Sequence, residues 1–165
     1  MKPASIKELK YELGNRSEKE LIELCLKMAK FKKDNKELLN YLLFESDDEE
    51  GYVASIKAEM EEEFAVLNTK SFYIAKKGVW RVQRTIKKYI RYSKNKETEV
   101  ELMLYFCQKL HELHQNVAGG ISYVLKNLLD RQIAALYKSI DKLHEDLQYD
   151  YNLELEELVE EIKSS

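Results

Sequence analysis

Almost nothing in this sequence interrupts a helix. Proline occurs once in the 165 residues, at Pro3, and glycine occurs five times. Proline breaks a helix because it lacks an amide hydrogen and clashes with the preceding turn, and glycine weakens one. A chain so poor in both, and rich in glutamate, lysine and leucine, predicts an all-α fold. The length suits a domain with its own core, so we predict a single helical domain over residues 1–165.

Apolar residues recur at spacings of three and four, which is the period of a helix with one buried side. They divide the chain into seven to eight predicted helices. Residues that can cap a helix stand before most of them, and Ser17 with Glu20 has the pattern of a capping box. The predicted starts are Ser5, Ser17, Asp34 with Glu37, Asp47 or Asp48, Ser71, Thr98 with Glu101, and Ile121 after the Gly119–Gly120 break.

Three further details of the helices are predicted. Gly14 is expected to close the first helix in a left-handed conformation. The third helix, which includes Leu38 and Leu42, is apolar on most sides, and we expect its neighbours to bury it. The seventh helix is predicted to run from Ile121 to about Leu147, followed by a turn at 149–152 and a short acidic helix.

The helices are predicted to pair as hairpins. Residues 48–67 and 72–95 should form one around a turn at 68–71, with residues 59–63 facing 75–79 and residues 45–50 facing 88–93. A weak internal repeat relates 17–67 to 72–147, because the apolar pattern of 21–44 recurs in 82–106. Such self-similarity predicts stacked antiparallel hairpins. The pattern resembles HEAT- or armadillo-like arrays, an α-α superhelix, in a general way, and an irregular helical bundle is the alternative.

Residues 72–96 are the most strongly charged segment, with nine cationic residues and no acidic one. On a helix, Ala75, Val79 and Val82 fall on one side, and cations interleaved with aromatic residues fall on the other. Cations and aromatic rings together can hold a phosphate backbone and stack on bases. The candidate partner-binding or anion-binding residues are Tyr73, Lys77, Trp80, Arg81, Arg84, Lys87, Lys88 and Arg91.

The alternative is that these cations form a solvated or internally paired surface. Residues 45–67 carry nine acidic side chains and one lysine, and they precede the basic helix directly. In the predicted hairpin, pairing is worth about 0–1 kcal/mol for each exposed pair. Residues 51–58 contain no carboxylate, so Arg81, Arg84 and Lys87 are predicted to lack an acidic neighbour.

No sequence motif indicates catalysis or a cofactor. His111 and His114 stand in HELH and not in the HExxH of zinc proteases, and Asp141 with His144 lacks the partner glutamates of a di-iron site. The glycine patterns of nucleotide-binding loops and the GxSxG motif of hydrolases do not occur. We therefore predict no enzymatic activity, no metal and no cofactor. The predicted function is a non-enzymatic protein-interaction or scaffold module, with nucleic-acid binding through residues 72–96 as the alternative.

Cellular location and self-association follow from smaller features. The N-terminus has no apolar leader, and the apolar runs are too short to span a bilayer, which predicts a cytoplasmic protein without a membrane partner. Cys25 and Cys107 are expected to be reduced core residues. A run at alternating spacings of four and three predicts either a homodimer seam or ordinary packing within the chain. Its residues are Leu129, Ile133, Leu136, Ile140 and Leu143.

Overall fold

The fold is all-α, as predicted, in a computed structural model that describes residues 2–117 and 119–164. Within those residues it contains eight α-helices, one π-helical turn at Tyr41–Glu45, and no strand. The helices are α1 (Ile6–Gly14), α2 (Glu18–Phe31), α3 (Lys33–Asn40), α4 (Glu49–Ala65), α5 (Phe72–Ser93), α6 (Lys96–Gln115), α7 (Gly120–Ile140) and α8 (Glu145–Ser164). The chain forms two compact units, divided between Phe44 and Glu45.

The N-terminal unit contains α1, α2 and α3. Capping boxes start its first two helices: Ser5 and Glu8 cap α1, and Ser17 and Glu20 cap α2 as predicted. α2 and α3 pack together as a hairpin, and the Asn35 side-chain amide donates to the Met28 carbonyl over 2.9 Å. Local signals therefore define the starts of α1 and α2.

Burial in the N-terminal unit differs from the prediction. Among residues 2–44, Tyr41 alone is buried, so the expected burial of the third helix is wrong. Leu38 and Leu39 of α3 are half-buried against α2, while Leu42, Leu43 and Phe44 of the π-helical turn are exposed. Cys25 is also exposed rather than a core residue.

Two local predictions in the same unit also fail. α3 begins at Lys33, and its N-cap residue is Lys32 rather than Asp34. Gly14 is the last residue of α1 and does not adopt positive φ. The C-cap is Asn15, whose amide bonds to the carbonyls of Glu12 and Leu13 and so satisfies the end of the helix.

The C-terminal unit contains the core. α6 packs against α4, α5, α7 and α8, and α5 also packs against α4 and α7. This order of contacts is consistent with a helical bundle or a short array, and it confirms the predicted pairing of α4 with α5. The core is made of apolar side chains that solvent does not reach, among them Val79, Leu102, Phe106, Leu110, Leu125, Ile140 and Leu155. Cys107 belongs to it as predicted.

The N-cap of α6 lies three residues before the predicted one. Asn95 is the N-cap and accepts from the Glu97 amide over 2.9 Å. Thr98, expected to cap this helix with Glu101, is instead buried and donates its hydroxyl to Glu49 over 2.5 Å. The Ser93 hydroxyl donates to the same carboxylate, so Glu49 joins the start of α4 to the ends of α5 and α6 that face it.

α7 is shorter than predicted, and α8 is longer. The helix expected to reach Leu147 ends at Ile140, and α8 runs through the predicted turn at 149–152. The Gln148 side-chain amide donates to the carbonyls of Asp141 and Leu143, over 3.2 and 2.8 Å. These bonds satisfy carbonyls that a continuous helix would have paired itself, which makes the break possible.

The predicted dimer seam lies largely inside the C-terminal unit. Leu129, Leu136 and Ile140 are buried, while Ile133 and Leu143 are half-buried. α7, which carries the first four of them, packs on α5, α6 and α8 of the same chain. The burial favours the second interpretation of that spacing, which was packing within the chain.

Candidate binding surface on α5

α5 buries one side and exposes its cations, as its periodicity predicted. Ala75, Val79, Val82 and Ile86 are at most 3% exposed. Gly78 adjoins this side, and a β-carbon there would lie 2.4 Å from Leu67 Cδ2. A side chain therefore approaches the helix at this glycine. The buried side fixes the helix against the core and leaves the opposite side for solvent or a partner.

Arg81 does not lack an acidic neighbour, and this part of the prediction is wrong. Its Nη2 lies 2.5 Å from Glu63 Oε2, in a pair that is partly open to solvent. Glu63 was expected to face residues 75–79, but it pairs with Arg81, beyond the end of that range. Glu59 also reaches further along α5 than predicted, since it accepts from the Tyr89 hydroxyl over 3.2 Å. Arg81 is thereby occupied within the fold.

Lys88, another predicted site residue, also has partners within the chain. Its Nζ lies 5.0 Å from the centre of the Tyr89 ring, and it makes further interactions. Tyr89 is held in turn by Glu59 and by its carbonyl, which accepts from the Tyr52 hydroxyl over 3.1 Å. On the side of the helix that faces α4, the basic residues are thus used by the hairpin itself.

The N-terminal half of α5 keeps an exposed aromatic and cationic surface. Tyr73 is 70% exposed, and Lys77 is also exposed. Trp80 is half-buried, with Lys76 Nζ 5.6 Å from the centre of its ring. Arg84 Nε donates to the Trp80 carbonyl over 3.4 Å, and no carboxylate among the described residues lies within 4.0 Å of its guanidinium group.

The C-terminal half of α5 borders a groove. The groove has a volume of about 360 Å³ and lies between α5, α6 and α7. Its lining residues are Lys87, Ile90 and Arg91 from α5, Glu99 and Met103 from α6, and Gln132, Ala135, Leu136 and Ser139 from α7. The structure therefore brings two of the predicted site residues, Lys87 and Arg91, to one concave surface.

The chemistry of the groove is an apolar floor with charge at its edge. Ile90, Met103 and Leu136 supply the floor, and the last two are buried. Lys87 and Arg91 are exposed, and within the described part of the chain no carboxylate lies within 4.0 Å of either. Glu99 also lines the groove, but its carboxylate accepts from the Ser139 hydroxyl over 3.4 Å. The cations are therefore available to a ligand.

Other charged side chains form a structural network away from this groove. Lys109 Nζ lies 2.9 Å from Glu61 and 2.6 Å from Glu112, and the Tyr105 hydroxyl donates to Glu61. Hydrogen bonds from Tyr105 and Lys109 lower the pKa of Glu61. Burial lowers the pKa of Lys109, but bonds to Glu112 and Glu61 outweigh it and raise the value to about 12. This network joins α4 to α6.

The histidines and cysteines do not form a second site. His111 is buried and its Nε2 lies 3.1 Å from Gln115, His114 pairs with Ser122 over 2.9 Å, and His144 lies between α7 and α8. Among the described residues no group of three or more His, Cys, Asp or Glu side chains is placed to hold a metal ion. Burial raises the pKa of the Cys107 thiol to about 12.

Sequence reasoning missed the residues that α6 and α7 contribute to the groove. Gln132 and Ser139 are far from α5 in sequence, while Glu99 and Met103 belong to the helix that follows it, and no spacing of these residues places them beside Lys87. The general prediction of stacked antiparallel hairpins was the one available signal, and it did not fix the rotation of α6 and α7 toward α5.

Comparisons with known proteins assign no family. No family model matches the chain, and neither a curated protein nor a solved structure is significantly similar to it. A search for helices long and apolar enough to cross a membrane found none among the described residues.

Proposed function

We propose that this protein is a non-enzymatic protein-interaction module whose groove between α5, α6 and α7 binds an acidic amphipathic segment of a partner. The observation that supports the proposal is an apolar floor with Lys87 and Arg91 at its edge, where no carboxylate of residues 2–117 and 119–164 lies within 4.0 Å of either. Apolar surface favours apolar anchors from a ligand, and unpaired cations favour carboxylates beside those anchors. An amphipathic helix or turn with acidic residues next to its apolar ones carries both.

The groove has the size for a few side chains rather than a large ligand. At about 360 Å³ it lies at the lower end of the usual range for ligand pockets, roughly 300–1,000 Å³. Two or three apolar anchors from a partner fill such a volume, and the charged edge then sets their orientation. We expect modest affinity, because area and anchors are few.

Selection from a displayed library of random peptides against the full chain tests this proposal. We expect the selected peptides to combine acidic with apolar residues and to bind in fluorescence anisotropy. Lys87→Glu with Arg91→Glu should weaken binding at least about tenfold, because each cation becomes a repulsive charge. Lys77→Glu with Arg84→Glu is the matched control on the same helix and should change binding by less than about threefold.

The proposal would be contradicted if the selected peptides lacked acidic residues. It would also be contradicted if acidic peptides bound the variant with Lys87→Glu and Arg91→Glu as tightly as the unchanged protein. Circular dichroism of each variant shows that it remains folded. The substituted positions are exposed, so the charge reversals should leave the helix content unchanged.

Nucleic-acid binding is the second candidate, supported by the N-terminal half of α5. Tyr73 is exposed beside Lys77, and Trp80 and Arg84 follow on the same side of the helix. Exposed rings can stack on unpaired bases, and the cations can contact phosphates. Glu63 already occupies Arg81, so this surface offers fewer cations than its sequence suggests.

Filter binding of random single-stranded DNA and RNA at two salt concentrations tests this second candidate. Phosphate contact predicts that log affinity falls with log salt by about 0.7 for each contact on a single strand. Here Lys77→Glu with Arg84→Glu should abolish retention. Absence of retention at low salt would exclude the candidate, and peptide binding that depends on Lys87 and Arg91 would then stand alone.

A further inference from the structure

We propose that a second copy of this chain binds along the exposed apolar side of α2, with the two α2 helices antiparallel about a two-fold axis. This surface belongs to the N-terminal unit and is independent of the groove on α5. The argument rests on the exposure of α2, on its charge distribution and on its length.

α2 exposes apolar side chains that its packing on α3 leaves uncovered. Within its unit it packs on α3, yet Leu21 and Ala29 are the only residues of α2 that are even half-buried. Leu24, Met28 and Phe31 are spaced four and three apart, so they share one side of the helix, and they are 40%, 63% and 84% exposed. A contiguous apolar surface of this kind is typical of an interaction site.

The charges of α2 favour a copy of α2 over an unrelated helix. Its first half holds Glu18 and Glu23, as well as Glu20, which Arg16 already pairs over 3.4 Å, against Lys19; its second half holds Lys27 and Lys30 without an acidic residue. No ion pair within the described residues neutralises Lys27 or Lys30. An antiparallel pair sets each acidic half against the basic half of the other copy, whereas a parallel pair sets like charges together.

The length of α2 limits the strength of the dimer. Fourteen residues make a helix roughly 21 Å long, which supplies less contact than the standard interface of about 1,200–2,000 Å². The dissociation constant should therefore lie in the micromolar range, so that association appears on concentration. The antiparallel arrangement also places each helix terminus beside the opposite terminus of the other copy, which is favourable for the helix dipoles.

Sedimentation equilibrium of the full chain over a wide concentration range tests the proposal. We expect a shift from one chain to two chains, and a weaker dimer at high salt because the charge pairs are exposed. Met28→Glu and Phe31→Glu should each raise the dissociation constant at least about tenfold, because a charge enters the contact. Tyr123→Glu places the same charge at an exposed aromatic position on α7 and should have no effect.

Single-cysteine crosslinking tests the orientation. In a Cys25→Ser background, chains with Glu18→Cys and chains with Lys32→Cys should form mixed disulfides when they are combined, and neither should crosslink with itself. Cys107 is buried and does not compete. Crosslinking only between identical positions would show a parallel pair and overturn the proposed arrangement.

Two other results would overturn the proposal as a whole. The first is a mass of one chain at every concentration. The second is a dimer that Met28→Glu and Phe31→Glu leave unchanged. Sedimentation of a monomeric chain with phosphatidylserine vesicles, abolished by the same two substitutions, would assign the apolar side of α2 to a lipid surface instead.

Discussion

The two units of this protein have the same local sequence pattern and opposite burial. α2 and α5 are both amphipathic helices with apolar residues at spacings of three and four. α5 buries Val79, Val82 and Ile86, whereas α2 buries none of its residues. The period of apolar residues predicts that one side of the helix will be buried, but it does not indicate whether the covering surface belongs to the same chain. In α5 the partners are α4, α6 and α7, and in α2 we propose a second copy.

The largest expected difference between the units is the effect of removing a phenylalanine. Phe106→Ala in the core of α6 should lower the free energy of unfolding by about 3–5 kcal/mol, because it leaves a cavity. Phe31→Ala on α2 should change it by less than about 0.5 kcal/mol, since the ring is 84% exposed. Urea unfolding followed by circular dichroism measures both. Fluorescence of Trp80, the one tryptophan, follows the C-terminal unit separately. Equal effects of the two substitutions would remove the distinction between the units.

A smaller loss of stability is expected where Glu49 of α4 accepts hydroxyl groups from α5 and α6. Thr98→Val keeps the shape of the buried side chain but removes the hydroxyl that donates to Glu49. Hydrogen bonds to charged groups are worth about 1.5–3 kcal/mol, so the free energy of unfolding should fall by that amount in the Trp80 signal. Thr69→Val, at an exposed position, should be neutral. A neutral Thr98→Val would mean that Glu49 does not depend on this bond.

The N-terminal unit should respond most to its helix caps. Ser17→Ala removes the hydroxyl that accepts from the Glu20 amide over 3.3 Å, and it should destabilise α2 by about 1 kcal/mol. Hydrogen exchange of the α2 amides measures this loss locally, and the exchange of α6 amides serves as the internal control. A loss of protection in α2 that is no larger than the loss in α6 would contradict the view that local interactions stabilise the N-terminal unit.

The smallest predicted effect is the response of both units to acid. Hydrogen bonds from the Ser17 amide and hydroxyl lower the pKa of Glu20, and bonds from Tyr105 and Lys109 lower the pKa of Glu61. A carboxyl whose pKa is lower in the folded state contributes stability above its unfolded value of about 4.5, and this is lost as the pH falls through the folded pKa. Carboxyl titration by NMR should give midpoints below the unfolded value for both residues. Midpoints at or above it would show that the bonds do not form in solution.

Helices with strong local signals were predictable from the sequence. The Ser17 capping box, the Asp48 cap of α4 and the buried side of α5 lie where periodicity and capping chemistry placed them. These features depend on residues within a turn or two of each other, so the local sequence is enough to predict them.

Features set by distant residues were not predictable. The Arg81–Glu63 pair joins side chains from two helices, and the groove depends on how α6 and α7 rotate toward Lys87. Thr98 has the spacing of a capping box with Glu101, and the local sequence does not show that its hydroxyl donates to the distant Glu49 instead. The end of α7 depends on Gln148, a side chain of the next helix.

Thiol accessibility tests the contrast between the two units most directly, because each unit carries one cysteine. In dilute native protein, below the concentration at which chains associate, Cys25 should react quickly with a maleimide because it is exposed. Cys107 should react only on unfolding, since solvent does not reach it and burial raises its pKa to about 12. The account predicts one modified thiol per native chain, assigned to Cys25 by mass spectrometry. Protection of both thiols, or equal reaction of both, would contradict it.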